Sequence, residues 1–220
     1  MDHKITDLKQ QKRNPNRINI YLDGEYSFGL SRIVAAWLQI GQMISDDKIA
    51  KLKNEDQIEV ALQKALGFIN YRPRTESEVS KKLSGLGYDD NEIEIVINRL
   101  REIGALSDDR FAQMWIENRT TFRPRSQKML KMELRNKKVA EEIIQQALAE
   151  AENDEVLALD AGNRYAKRLV HLDGNDFRKK LSAFLARRGF SYGIVIPVVN
   201  KIWADVQAAK ELNMIMENED

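Results

Sequence analysis

The sequence predicts a mainly α-helical protein in which three tandem three-helix repeats follow a small N-terminal domain of a β-hairpin and short helices. Three observations carry that prediction. Leu83, Leu134 and Leu185 recur at a 51-residue step, and the same step links Val79, Leu130 and Leu181, then Tyr88, Val139 and Phe190, then Ile93, Ile144 and Val195, then Ile97, Leu148 and Val199. Within each period the apolar residues fall at three-and-four spacing, which is the period of a helix and not of a strand. Before residue 50 the step is absent, and apolar and polar residues alternate instead. A period of this length marks stacked supersecondary units, each too small to bury its apolar face alone.

The alternation runs from Arg17 to Gly29, with Ile18, Ile20 and Leu22 before Asp23-Gly24 and Tyr26 and Phe28 after it. That dipeptide suits a type I′ turn, which needs positive φ at both central positions. Ile5 to Lys12 is expected to add a third strand, because an isolated hairpin is marginal in water. Ser31 and Ser45 read as N-caps of two short helices ending near Gly41 and Lys53, the second favoured by Asp46 and Asp47 in its first turn.

From Asp56 onward a helical stripe carries Ile58, Ala61, Leu62, Ala65, Leu66 and Ile69 until Arg72-Pro73-Arg74 breaks it. Thr75 and Glu78 form a capping box for a second helix through Val79 and Leu83, which stops between Gly85 and Gly87. A third helix carries Ile93, Val96, Ile97 and Leu100 to Gly104. Repeat two answers with Ser107 as cap, a helix bearing Phe111 and Trp115, then Arg123-Pro124-Arg125 and Ser126 opening the next helix. Repeat three replaces that joint with Gly174-Asn175-Asp176, where a tight turn and a cap form easily. Gly189 ends its middle helix and Ser191 caps the last. Pro197 removes a hydrogen bond to the Gly193 carbonyl, so a kink or a late start is expected there. Beyond Asp205 the pattern thins to Leu212, Met214, Ile215 and Met216, and the end is expected to fray. The predicted segments are therefore 1–54, 55–105, 106–152, 153–207 and an acidic tail over 208–220.

Composition narrows the function classes. The 220 residues include 43% hydrophobic residues and no cysteine, which supports a folded core and rules out disulfides, thiolate metal sites and a thiol nucleophile. His3 and His171 lack partners at metal-ligand spacing. No apolar run reaches the roughly 18 residues of a membrane span, and the first ten residues lack a signal-peptide core, so a cytoplasmic location without membrane association is expected. Gly85 and Gly87 lack the third glycine and the preceding strand of a nucleotide loop. The acidic pairs Asp46-Asp47, Asp89-Asp90 and Asp108-Asp109 all sit at helix starts, where the helix dipole explains them without catalysis. No enzymatic activity, cofactor or metal is expected.

Lysine and arginine total 35 against 34 acidic residues, and a net charge of +1 argues against a dedicated high-affinity nucleic-acid binder. The distribution is uneven. Between Arg119 and Lys138 lie Arg119, Arg123, Arg125, Lys128, Lys131, Arg135, Lys137 and Lys138, opposed by Glu133 alone. On a helix, Lys128, Lys131, Arg135 and Lys138 project from one face while Leu130 and Leu134 turn inward, with Arg123 and Arg125 at its mouth. Lys179, Lys180, Arg187 and Arg188 extend the same character into repeat three, with Arg178 and Phe184 nearby. A solvated helix face is the ordinary reading of such a run; two adjacent repeats both presenting cations point towards an anionic partner. Trp37, Trp115, Trp203 and Phe122 raise the alternative of base stacking. Trp115 shares its stripe with Phe111 and is expected in the core, whereas Phe122 is more open.

The segment Leu100-Arg-Glu-Ile-Gly-Ala-Leu-Ser-Asp-Asp-Arg-Phe-Ala112, followed by Trp115 and Arg119, resembles the junction between the first two repeats of the RecX family, bacterial regulatory proteins of the RecA recombinase. Arg72 to Leu83 is similar to that family's first-repeat helix, Arg187-Arg188-Gly189-Phe190 to its third-repeat turn, and the hairpin to an N-terminal extension that some members carry. The likeness spans roughly Asp56 to Trp203. It implies an elongated, curved body in the groove of the RecA filament on DNA, repressing ATPase, strand exchange and coprotease activity by blocking filament growth or promoting disassembly. It transfers no catalytic residue. From spacing alone, Arg123, Arg125, Lys128, Lys131, Arg135, Lys138, Lys179, Lys180, Arg187 and Arg188 are the expected contacts to the RecA filament or to DNA, made by a monomer. An autonomous DNA-binding module and a passive helical scaffold stay open as competing classes.

Overall fold

The computed structural model describes residues 1–217, with side chains to Leu212, and divides them into two compact units that part between Ser107 and Asp108. In the first unit, strands β1 (Asp2–Gln10), β2 (Arg17–Leu22), β3 (Glu25–Ser31) and β4 (Met43–Ser45) form an antiparallel sheet of order β3-β2-β1-β4. Asp23 and Gly24 take φ of 51° and 95°, the positive pair that the hairpin turn requires. Alternation then does its work: Ile5, Ile20, Leu22, Phe28 and Leu30 are buried on one face and meet Leu38, Ile44 and Leu52.

Two expectations for this region are corrected. Helix α1 (Arg32–Ala35) is a single turn and does not reach Gly41. The chain instead turns at Gly41, whose N–H donates to the Ile5 carbonyl at 2.7 Å, and pairs β4 with β1, so that Ile44 enters the core. Ser31 precedes α1 without a side-chain cap. Ser45 does cap α2 (Asp46–Tyr71), accepting from the Lys48 N–H, but that helix continues past Lys53 and through Asp56 for 26 residues. No glycine or proline lies between Asp46 and Leu66 to stop it. At about 1.5 Å per residue it is long enough to serve two cores. Leu52 packs under the sheet, while Ile58, Ala61 and Ala65 pack with the next two helices. Buried Asp56 joins them, accepting from Arg17 Nη2 at 2.9 Å and from the Ser31 N–H.

Helices α3 (Glu76–Ser84) and α4 (Asp90–Glu102) complete this first three-helix repeat. Both open with full capping boxes, Thr75 with Glu78 and Asp89 with Glu92. Such caps satisfy amide groups that the first turn leaves without partners.

The second unit holds two further repeats. Helices α5 (Asp108–Phe122), α6 (Gln127–Asn136) and α7 (Glu141–Ala149) form one; α8 (Asp154–Ala166), α9 (Gly174–Arg187) and α10 (Tyr192–Glu217) form the other. Ser126 caps α6. The cap of α9 is Asp173, one residue before the predicted Gly174-Asn175-Asp176 turn, and its carboxylate accepts from the Asn175 and Asp176 amides. Helix α10 starts directly after Ser191 and is continuous through Pro197, so no late start occurs. It also stays helical past Asp205 to Glu217. From Ala204 to Leu212 the sequence is made largely of good helix formers, without glycine or proline, so propensity extends the helix where the apolar stripe thins. Met214, Ile215 and Met216 have side chains outside the described residues, as has the whole of 218–220.

The 51-residue step is the core. Val79, Leu130 and Leu181 are fully buried, as are Leu83, Leu134 and Leu185; of the other triplets only Tyr88 is partly exposed. After each middle helix the backbone turns through a left-handed residue, Gly87, Lys138 and Gly189, at φ of 88°, 62° and 89°. The following amides of Tyr88, Val139 and Phe190 then donate back to the carbonyls of Leu83, Leu134 and Leu185. This is a Schellman closure. Lys138 stands where the other repeats have glycine, and a side chain there is strained. Lys138→Gly is therefore expected to stabilise the protein by about 0.5–1 kcal/mol, read as a higher urea midpoint; a lower midpoint would contradict the left-handed assignment.

Candidate partner-binding interface

Helix α6 owes its orientation to Leu130 and Leu134, both fully buried, which turn Lys128, Lys131 and Arg135 outward. Lys138 does not join that face. The helix ends at Asn136 and Lys138 lies in the closing turn, so the three-four-three spacing predicted over these four cations holds only for the first three.

Their charge is not all available. Glu141, first residue of α7, receives Lys131 Nζ at 2.5 Å and Arg135 Nε at 2.9 Å, with Gln145 adding a hydrogen bond. The Arg135 hydrogen bond, followed by those of Lys131 and Gln145, holds the Glu141 carboxyl at about 2, far below the ordinary 4.5. Lys128 projects free of such a partner.

A second acidic residue organises the inner side of α6. Glu133 accepts from Trp115 Nε1 at 2.8 Å and from Arg119 Nε at 2.9 Å, and is ion-paired with Arg125. The Arg119 guanidinium lies 4.4 Å over the Trp115 ring, which stacks on Phe111 in the repeat core. Trp115 is thus a packing residue with a satisfied N–H, as its stripe predicts. Trp203 likewise packs on Phe177, whereas Trp37 and Phe122 are 88% and 70% exposed.

The cations of repeat three lie on α9. Lys179, Lys180 and Arg187 are exposed, and Arg188 is partly buried. Arg178 lies over Trp203 and donates to the Gly174 carbonyl. Where repeats two and three meet, Arg188 Nη1 donates to the Pro124 carbonyl at 2.9 Å, and the Ser126 N–H donates to the Arg188 carbonyl at 3.1 Å. Gly189 makes this approach possible, since a Cβ there would stand 2.1 Å from Met129 Cγ. Arg164 donates to the Thr121 carbonyl, and Asp154 accepts from the Gln127 N–H. Arg123, Arg125, Phe184, Arg187 and Arg188 consequently line one open pocket. Burial first, then the charges of Arg125, Arg123 and Arg164, push the Arg188 guanidinium below its usual value.

Sequence reasoning missed Arg164 and Glu141. Glu141 could have been found as the first residue of the next helix, where a carboxylate is favoured; Arg164 carries no such local signal. Elsewhere, among the described residues, no group of three His, Cys, Asp or Glu side chains is placed to hold a metal ion, and no helix is long and apolar enough to cross a membrane. A concavity of the first unit is lined by Asn14, Arg17, Ser31, Ile33, Glu59 and Lys64, and its Glu59 is engaged by Gln63 and Arg99.

Four family models match the chain in order. The regulatory protein RecX N-terminal domain covers residues 3–45, and the first, second and third three-helix domains of RecX cover 61–100, 107–148 and 153–199. The chain belongs to the RecX family. A regulatory protein RecX of Clostridium tetani is 32% identical over 208 residues, spanning 91% of this chain and 94% of its own. One from Clostridium botulinum strain Eklund 17B is 28% identical over 204 residues, spanning 90% and 95%. A crystal structure of regulatory protein RecX aligns with a TM-score of 0.73 at 25% identity, covering 90% of this chain and 99% of its own. That of RecX from Lactobacillus salivarius, at 24% identity, a TM-score of 0.59 and coverage of 67% and 97%, shows the shared fold alone. In RecX terms, the arginine pocket is built between the second and third three-helix domains.

Two measurements check this account. Glu133→Gln, which removes the acceptor charge of Arg119 and Arg125, is expected to destabilise the protein by about 1–3 kcal/mol in urea unfolding. For Glu141 the folded value lies below the unfolded one, so its stabilisation is fully present above about pH 4.5 and is lost as the pH falls towards 2. The thermal midpoints of wild type and Glu141→Gln should therefore differ most above about pH 5 and converge near pH 2; a gap that widens on acidification would contradict the pairing. Because the group is exposed, added salt should narrow that gap.

Proposed function

We propose that this protein is a negative modulator of the RecA recombinase, acting in the cytoplasm as a monomer. It binds the RecA–DNA filament along its groove and restrains ATP hydrolysis, strand exchange and coprotease activity, by limiting filament growth or promoting disassembly. The observation that carries this reading is the match to the RecX regulatory family along all four segments of the chain.

The electrostatics support it. A near-neutral total charge suits a regulator that should not coat free DNA, while local cations at Lys128, Lys179, Lys180 and the junction arginines suit acidic protein loops or phosphates. Complementary charge of this kind governs encounter and register more than raw affinity. The junction arginines also favour a second reading, an autonomous DNA-binding module, which requires tight binding to naked DNA with a steep salt dependence.

The deciding measurement is RecA's single-stranded-DNA-dependent ATP hydrolysis with this protein titrated in, against a control for simple competition for DNA. Suppression is expected well below the amount needed to coat the DNA. No suppression, together with salt-sensitive binding to bare DNA, would give the protein to the second reading. The combined variant Lys128→Gln, Lys131→Gln and Arg135→Gln gives up the Glu141 pairs and so a small part of the stability, but should stay folded and need several-fold more protein for half-suppression; full inhibition by the folded variant would remove α6 from the interface.

A further inference from the structure

The cations of the second unit differ in what already neutralises them, and the pocket between its two repeats gathers the least neutralised ones. Arg125 is held by Glu133, whereas Arg123, Arg187 and Arg188 meet no carboxylate among the described residues. Arg188 is fixed by the Pro124 carbonyl and by stacking 4.4 Å over Phe184. Phe184 is itself stacked on Tyr165, with ring centroids 4.0 Å apart and planes within 4°. Arg188 is thus held on a packed floor, close enough to Arg125, Arg123 and Arg164 that their charges disfavour its own. Like charges gathered without counter-ions create a standing positive potential.

We propose that this pocket is a phosphodiester site and takes the backbone of a nucleic acid. Planar guanidinium forks match phosphate oxygens bidentately, and a nucleic-acid strand presents a phosphate at every nucleotide, so it can engage several arginines of a cluster that, among the described residues, meets no carboxylate at Arg123, Arg187 and Arg188. The same charge continues along α9 at Lys180, seven residues before Arg187 and so about 10 Å away at 1.5 Å per residue, where a further phosphate of the strand would lie. Phe184 is already covered by Tyr165 and Arg188, so the pocket offers no platform for a base. Recognition is of the backbone, without sequence preference. A bound phosphate would also bridge the α5–α6 joint to α9, the place where Ser126 and Arg188 already exchange a backbone hydrogen bond. This deepens the partner-binding reading above and rests on it for the involvement of these residues.

The test uses the full chain without RecA, and fluorescence anisotropy of a labelled oligo-dT of about 20 nucleotides and of a duplex of equal length, between about 50 and 200 mM salt. Arg123→Gln with Arg187→Gln is the informative variant, because both side chains are exposed and neither has an ion pair to lose. It is expected to keep the wild-type urea midpoint, to bind roughly tenfold more weakly at low salt, and to lose about 0.7 from the log–log salt slope for each single-strand phosphate contact removed. Changing the base sequence should leave affinity unaltered, and Lys128→Gln should cost much less. An unchanged affinity and slope in the folded double variant would overturn the proposal. So would a loss confined to poly-glutamate binding, which would assign the pocket to an acidic protein segment. Since no recombinase is present, this outcome is independent of the ATPase titration, and either reading can fail alone.

Discussion

Each repeat depends on a reversal made in very few residues. The middle helix must stop, turn, and deliver the next helix back onto the same core, and it does so through one left-handed residue at 87, 138 and 189. The returning amides of Tyr88, Val139 and Phe190 close onto the carbonyls of Leu83, Leu134 and Leu185, so the turn ties together two of the triplets that build the core. Capping and packing are here one event. The closure at Gly189 has a further role, since its missing side chain lets α9 end against Ser126 and Met129 and so sets repeat three on repeat two.

That seating decides the electrostatics of the second unit. Two carboxylates, Glu133 and Glu141, divide a run of cations that looks uniform along the chain. Glu133 draws Arg119 and Arg125 inward beside Trp115, and Glu141 draws Lys131 and Arg135 towards α7. Of the charges left over, those of Arg123, Arg187 and Arg188 gather at the junction, from segments about sixty residues apart. The surface is therefore a pattern of released and occupied cations.

The first unit follows another logic. A single helix, α2, lies under the sheet at one end and within the first repeat at the other, with Asp56 fastening it to Arg17 and Ser31. A boundary at residue 54 or 55, natural from the composition, falls in the middle of this helix. What distinguishes the segments is the partner that covers each face, which a change of stripe along one helix does not reveal.

Much of the fold was legible because it is local. The hairpin turn at Asp23-Gly24, the capping box at Thr75 and Glu78, the cap at Ser126 and the apolar triplets all follow from rules that act within a few residues or at a fixed period. The candidate cations were legible by type and spacing, and Trp115 by its stripe. The sequence by itself thus determined a helical repeat protein of the RecX family and where its basic residues cluster. Only the tertiary structure decided that Lys138 leaves the helix face, that Glu141 occupies Lys131 and Arg135, and that Arg164 and Arg188 reach across to the α5–α6 joint. Periodicity reports which side of a helix faces inward, whereas ion pairing depends on distances between residues far apart in the chain, and those exist only once the repeats have packed.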